Sequence, residues 1–325
     1  MAMCTEVRPG ASGSLENPCD RIRPGTRALL AAFTLLTALA TNQLLVLGGH
    51  TERFWPWTIQ NRATVGFLAA AYGAGFLLSV LSLRQRSWTR VRLAVGTVTV
   101  FTFLTLIATI IHAHRLHLSD ADPLARGAAW FWLAVYVVVP LAGVAVLGRQ
   151  EEDRPARTVV LRPLTAGLRV AVAAQGLVLF AAGAVLFLGA MTWHHGMSRI
   201  GIWPWEVTPL SAEVLGAWLV AFGVGAGLVL AEGDLARLRV PAIAYTAFGG
   251  FQLVALAVHG SQMSAARWGY GLVFAVVLVT GAYGWWTTRP RPGGQAGTGT
   301  TAVTGVRPVS SSFTASPADS GREKW

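Results

Sequence analysis

Eight apolar blocks dominate this sequence, at roughly 28–48, 64–83, 91–111, 128–147, 168–189, 212–231, 240–259 and 268–287. Each is about twenty residues long, the length that carries an α-helix across a hydrocarbon core of about 30 Å. None has Asp, Glu, Lys or Arg in its middle, where one such residue costs about 2.5–3.5 kcal/mol on the insertion scale. The pattern predicts an all-α integral membrane protein with eight transmembrane helices. Composition excludes the alternative of a soluble domain. Hydrophobic residues make up 53% of the chain and charged residues only 13%, against about 25% charged in a typical soluble domain.

The formal net charge of +11 does not point to nucleic acid, because the arginines lie between the apolar blocks and not along one soluble face. With the N-terminus inside, all basic residues except Arg53, Arg62, Arg115, Arg126, Arg199 and Arg267 fall on inner loops and tails. Such an excess is the signature of cytoplasmic loops. The expectation is a multi-pass protein of the plasma membrane with both termini cytoplasmic and the lipid bilayer as its partner. Trp55, Trp57, Trp130, Trp132, Trp193, Trp203, Trp205 and Trp268 then fall at outer helix ends, as in an interfacial aromatic belt. The segments 1–26 and 289–325 read as disordered tails, the latter rich in Gly, Thr, Ser and Pro.

The chain repeats itself. Trp55-Pro56-Trp57 recurs as Trp203-Pro204-Trp205, and Gly66, Gly73 and Gly75 recur as Gly216, Gly223 and Gly225. Arg92, Leu106, Ala108 and His112 match Arg239, Leu253, Ala255 and His259 at one common offset. The organisation expected is two tandem four-helix units, 27–148 and 168–288, joined by a linker over 149–167. Because each unit has an even number of spans, the two copies are parallel, related by an axis along the membrane normal. The glycines permit close helix approach, the usual packing mode in membranes.

The stretch from Trp203-Pro204-Trp205 through Thr208-Pro209-Leu210 to Gly216-Ala217-Trp218 resembles a motif of uncharacterised multi-span membrane proteins of high-GC Gram-positive bacteria, roughly WPW-x-LTPL-x-AR-x-x-GAW. Glu213 stands where that motif carries arginine, and the first unit has Gln60-Asn61-Arg62 near the TPL position. The resemblance implies the architecture and no chemistry.

All seven histidines map to the outer side in this topology, among them His112, His194, His195 and His259. The runs His112-x-His114-x-x-His117 and Met191-Thr-Trp-His194-His195-Gly-Met197 have ligand spacing for copper or zinc. His112 and His259, related by the repeat, could face each other as metal or haem ligands. The competing reading is that these are ordinary interfacial histidines. No carboxylate is expected inside the membrane, Glu213 at the outer mouth being the nearest. Gln175 and Gln252 are the intramembrane amides, placed either along a substrate path between the units or in bonds between helices. No P-loop, GxSxG elbow, dinucleotide fingerprint or HExxH is present, so no enzyme is expected, and an ATP-driven process would require a separate membrane partner subunit. Three functions remain: transport of a neutral, apolar or lipidic small molecule, a non-catalytic scaffold or accessory subunit, and a metal- or haem-binding protein.

Overall fold

In a bilayer core every backbone N–H and C=O must be satisfied within the segment, which leaves a long apolar run little choice but a helix. The computed structural model describes residues 20–152, 162–192 and 203–289. Over them it contains the helices α1 (Pro24–Val46), α2 (Thr51–Phe54), α3 (Arg62–Leu83), α4 (Trp88–Ile111), α5 (Pro123–Glu151), α6 (Ala166–Thr192), α7 (Pro209–Glu232), α8 (Arg239–His259) and α9 (Arg267–Thr287). All but the short α2 are long and apolar enough to cross a membrane. These eight are the eight expected spans.

Local chemistry sets their ends. Proline opens α1, α5 and α7, where a missing N–H leaves no bond unmade. The Asn61 side chain accepts from the Ala63 amide at 2.8 Å, and Asp122 accepts from Leu124 at 2.9 Å, both N-caps. Gly233 ends α7 with φ of 63°, a left-handed turn that glycine adopts freely. The boundaries shift slightly from the expectation. Helix α1 starts at Pro24, inside the segment read as a tail, because Thr26 and the Arg23 amide both bond to Gln150 at 2.9 Å. Helix α5 continues through Arg149 to Glu151 and α6 starts at Ala166, shortening the linker from both sides.

The inner helices α3, α4, α7 and α8 touch one another, with α3 packed on α8 and α4 on α7. Each carries an outer helix: α1 lies on α3, α5 on α4, α6 on α7 and α9 on α8. At one end of the bundle the segments entering α1 and α6 each pair with an interhelix loop, Arg21 with Ser87 and Pro163 with Asp234. This is the arginine end. The opposite, tryptophan end holds the two WPW turns.

A connected set of aromatic rings fills the core. Trp55 meets Trp57 at 5.7 Å and Trp203 meets Trp205 at 4.9 Å, both edge to face. Phe101 stacks on Trp218 at 3.7 Å, and Phe222 on Phe248 at 4.0 Å. Trp55, Trp57, Trp132 and Trp205 are buried. The tryptophans of the WPW turns therefore do not form a lipid-facing belt. They are core residues, because the proline between each pair turns both indoles inward onto α5 and α9 rings. Trp130 and Trp268 are exposed, as a belt requires.

Helices α6 and α7 meet at backbone contact. A Cβ on Gly183 would lie 2.6 Å from the Val220 nitrogen and 2.7 Å from the Gly216 oxygen. One on Gly223 would lie 2.6 Å from Phe180 Cβ and 2.9 Å from the Gly176 oxygen. Helix α1 has no glycine after Gly25, and its seam with α3 is looser. There Gly73 and Gly75 meet only side chains, Phe251, Thr41, Trp218, Thr37 and Phe33, at 3.1 Å or more.

Candidate functional site

His112 and His259 end α4 and α8 at the tryptophan end, and each leans on the helix that its own helix packs against. They do so in different surroundings. His112 Nε2 lies 3.0 Å from Glu213 Oε1, on the α4–α7 interface. The Glu213 side chain is fully buried, and its Oε2 has no hydrogen-bond partner among the described residues. The sequence reading had no carboxylate inside the membrane. It missed this one because Glu213 is the fifth residue of α7, one turn in, where the packed bundle leaves its side chain no exposure. A buried carboxylate is kept by a donor such as His112, since an unpaired one is costly.

His259 lies instead against Gly66, the fifth residue of α3. A Cβ there would sit 2.8 Å from its Cδ2 and 3.3 Å from its Nε2. His112 and His259 thus occupy separate interfaces, α4–α7 and α3–α8. The His112 ring has a second neighbour in His114, 6.0 Å away. Among the described residues no group of three or more His, Cys, Asp or Glu is placed to hold a metal ion. His194 and His195 lie outside the described residues.

Around His259 the structure opens. A groove of about 680 Å³ lies between α1, α3 and α8. Its floor is Gly66, Ala69, Ala70 and Gly73 of α3; its walls are Leu44 and Leu45 on one side and Phe251, Val254 and Ala255 on the other. Arg62 and His259 stand at its tryptophan end, and Phe76 and Leu77 line its far end. From Arg62 to Leu77 along α3 it runs roughly 22 Å at 1.5 Å per residue. That is longer than the ~15 Å depth of one leaflet of a ~30 Å core. Leu45, Val254 and Val258 on its rim are exposed, so the groove opens sideways on the outer surface of the bundle. The signal in the sequence was the missing glycine partner: α3 keeps Gly66 and Gly73, but α1 offers no glycine after Gly25 to close on them.

The glutamines do not share a cavity. Gln175 of α6 donates to Thr280 of α9 at 2.6 Å and accepts from Tyr245 of α8 at 3.3 Å. Gln252 of α8 is fully buried; it donates to the Phe67 carbonyl of α3 at 3.2 Å and accepts from Tyr270 at 2.5 Å. Each ties three helices together. Tyr245 and Thr280 line a space of only about 90 Å³.

Both ends of the bundle are bonded across its middle. At the tryptophan end, Trp57 Nε1 donates to Ser211 at 3.1 Å and Trp205 Nε1 donates to Thr64 at 2.8 Å. The acceptors are the third residues of α7 and α3. The Pro56 carbonyl accepts from His117 at 2.9 Å, and the Pro204 carbonyl from Ser264 at 2.7 Å. At the arginine end, Arg92 of α4 pairs with the buried Glu232 of α7, which Arg237 also holds at 3.2 Å. Comparison of the chain with family models, curated proteins and solved structures finds no match in any of the three.

Proposed function

We propose that this chain is a polytopic plasma-membrane protein, both termini cytoplasmic, that takes an apolar or lipidic small molecule from the bilayer into the α1–α3–α8 groove and carries it. We further read the bundle as two tandem parallel four-helix copies. That reading is supported by the recurrence of each contact. Helix α1 on α3 matches α6 on α7, α4 on α5 matches α8 on α9, and each WPW turn bonds to the first turn of the second spanning helix in the other half. The observation that carries the transport reading is the groove itself: about 680 Å³, lined by apolar side chains along its length and open to lipid on one side. A pure scaffold has no use for such an opening, since apolar seams in membranes gain by closing.

The test is photo-crosslinking in proteoliposomes with an acyl chain bearing a diazirine. Labelled peptides should come from α1, α3 and α8, and Gly73→Leu, which fills the floor, should remove the labelling. Labelling spread evenly over exposed outer faces, such as those of Leu177 and Leu272, would return the protein to scaffolding.

A further inference from the structure

We infer that the tryptophan-end mouth of the groove is a headgroup site for an anionic phospholipid, with Arg62 and His259 as its ligands. This rests on the groove being a lipid site and adds which lipid it takes. Arg62 is exposed and makes no ion pair or hydrogen bond with another described residue. Of the acids at this end, Asp122 pairs with Arg53 at 2.9 Å, Glu52 with His50 at 3.5 Å and Glu213 with His112, and Asp120 accepts from the Asp122 amide at 2.9 Å. The Arg62 guanidinium lies over Gly49, where a Cβ would be 3.8 Å from Nη2. Two consecutive glycines, Gly48 and Gly49, keep this mouth free of side chains. His259 presents its ring edge across Gly66 from the other wall, likewise with no hydrogen-bond partner among the described residues.

A planar guanidinium beside an imidazole N–H supplies donors that match phosphate oxygens, which a guanidinium grips in a bidentate fork. An arginine at the rim of the hydrocarbon region also gains by reaching a headgroup. Below the mouth, the apolar trough is long enough for an acyl chain, which selects a lipid over free phosphate. Net negative charge selects phosphatidylglycerol or phosphatidic acid over a zwitterionic lipid, whose ammonium Arg62 would repel.

The experiment is native mass spectrometry of the full chain released from nanodiscs holding equal phosphatidylglycerol and phosphatidylcholine, with inorganic phosphate as a separate arm. Wild type should retain phosphatidylglycerol preferentially, by about fivefold, the factor that roughly 1 kcal/mol represents. Arg62→Ala and His259→Ala should erase the preference yet keep lipid bound, and Arg62→Lys should restore part of it. Gly73→Leu should lose both lipids. If Arg62→Ala keeps the preference, the headgroup site is overturned while the groove reading stands. If Gly73→Leu binds as wild type does, the groove reading falls and the headgroup site with it. Displacement of the bound lipid by inorganic phosphate alone would overturn lipid as the ligand's source. Thermal unfolding of each variant, unchanged for the exposed Arg62, separates lost binding from lost fold.

Discussion

The α6–α7 seam and the α1–α3 seam start from the same glycine spacing on the inner helix, and they pack in opposite ways. On α7, Gly216 and Gly223 face Gly183 and Gly176 of α6, so the two backbones touch and nothing can enter. On α3, Gly66 and Gly73 face side chains of α8 and α1, and the space that four glycines would have closed remains as the groove. The adjacent histidines follow the same division. His112, over the closed side, meets a buried carboxylate; His259, over the open side, meets a bare glycine and leaves its ring free. Backbone contact between two helices is made here where glycine faces glycine, and with glycine on one partner alone the seam stays open as a trough.

The largest effect that could break this comparison comes from adding one methyl group to each seam. Gly183→Ala places a Cβ into the backbone of α7 and should destabilise the protein by about 1–3 kcal/mol, the usual range for overpacking. Gly73→Ala meets the Phe251 ring at 3.2 Å and the Thr41 methyl at 3.8 Å, side chains that can turn aside, and should stay within about 0.5 kcal/mol. Thermal unfolding in detergent reads both, and equal losses would mean that the seams do not differ. Next in size, His112→Ala strips the last donor from Glu213 and should cost about 1–3 kcal/mol. His259→Ala should be nearly silent for stability. Adding Glu213→Gln to His112→Ala should recover part of the loss by removing the buried charge; no recovery would show that the pair matters for packing and not for charge.

The smallest effect should be symmetric and sharpens the contrast from the other side. Trp57→Phe and Trp205→Phe each delete one hydrogen bond at the tryptophan end and should cost about 1 kcal/mol apiece. A large difference between them would show that the two halves are unlike at this end too.

The eight helices were legible because each follows from a local property, an uninterrupted apolar run. What the sequence hid depends on facing surfaces. Whether Trp57 points to lipid or to Ser211, and whether Glu213 sits at a mouth or buried against His112, is decided by residues far away in the chain. The glutamines were legible in kind, as bonds between helices, but Gln175 and Gln252 could not be given partners. The groove was readable only as an absence, glycines on α3 without glycines on α1, and an absence has no motif.

The reciprocal tryptophan bonds at one end and the Arg92–Glu232 pair at the other have a mechanical consequence. A rocking motion of one half against the other must shear one set of clamps or the other, so the inner four helices behave as a single stiff frame. Helix α1 is different. Beyond its first turn, pinned through Thr26 to Gln150, it makes no hydrogen bond to another helix among the described residues. Past that turn it is held to α3 by apolar packing alone, so a swing of its far end would widen the trough while the frame stays still.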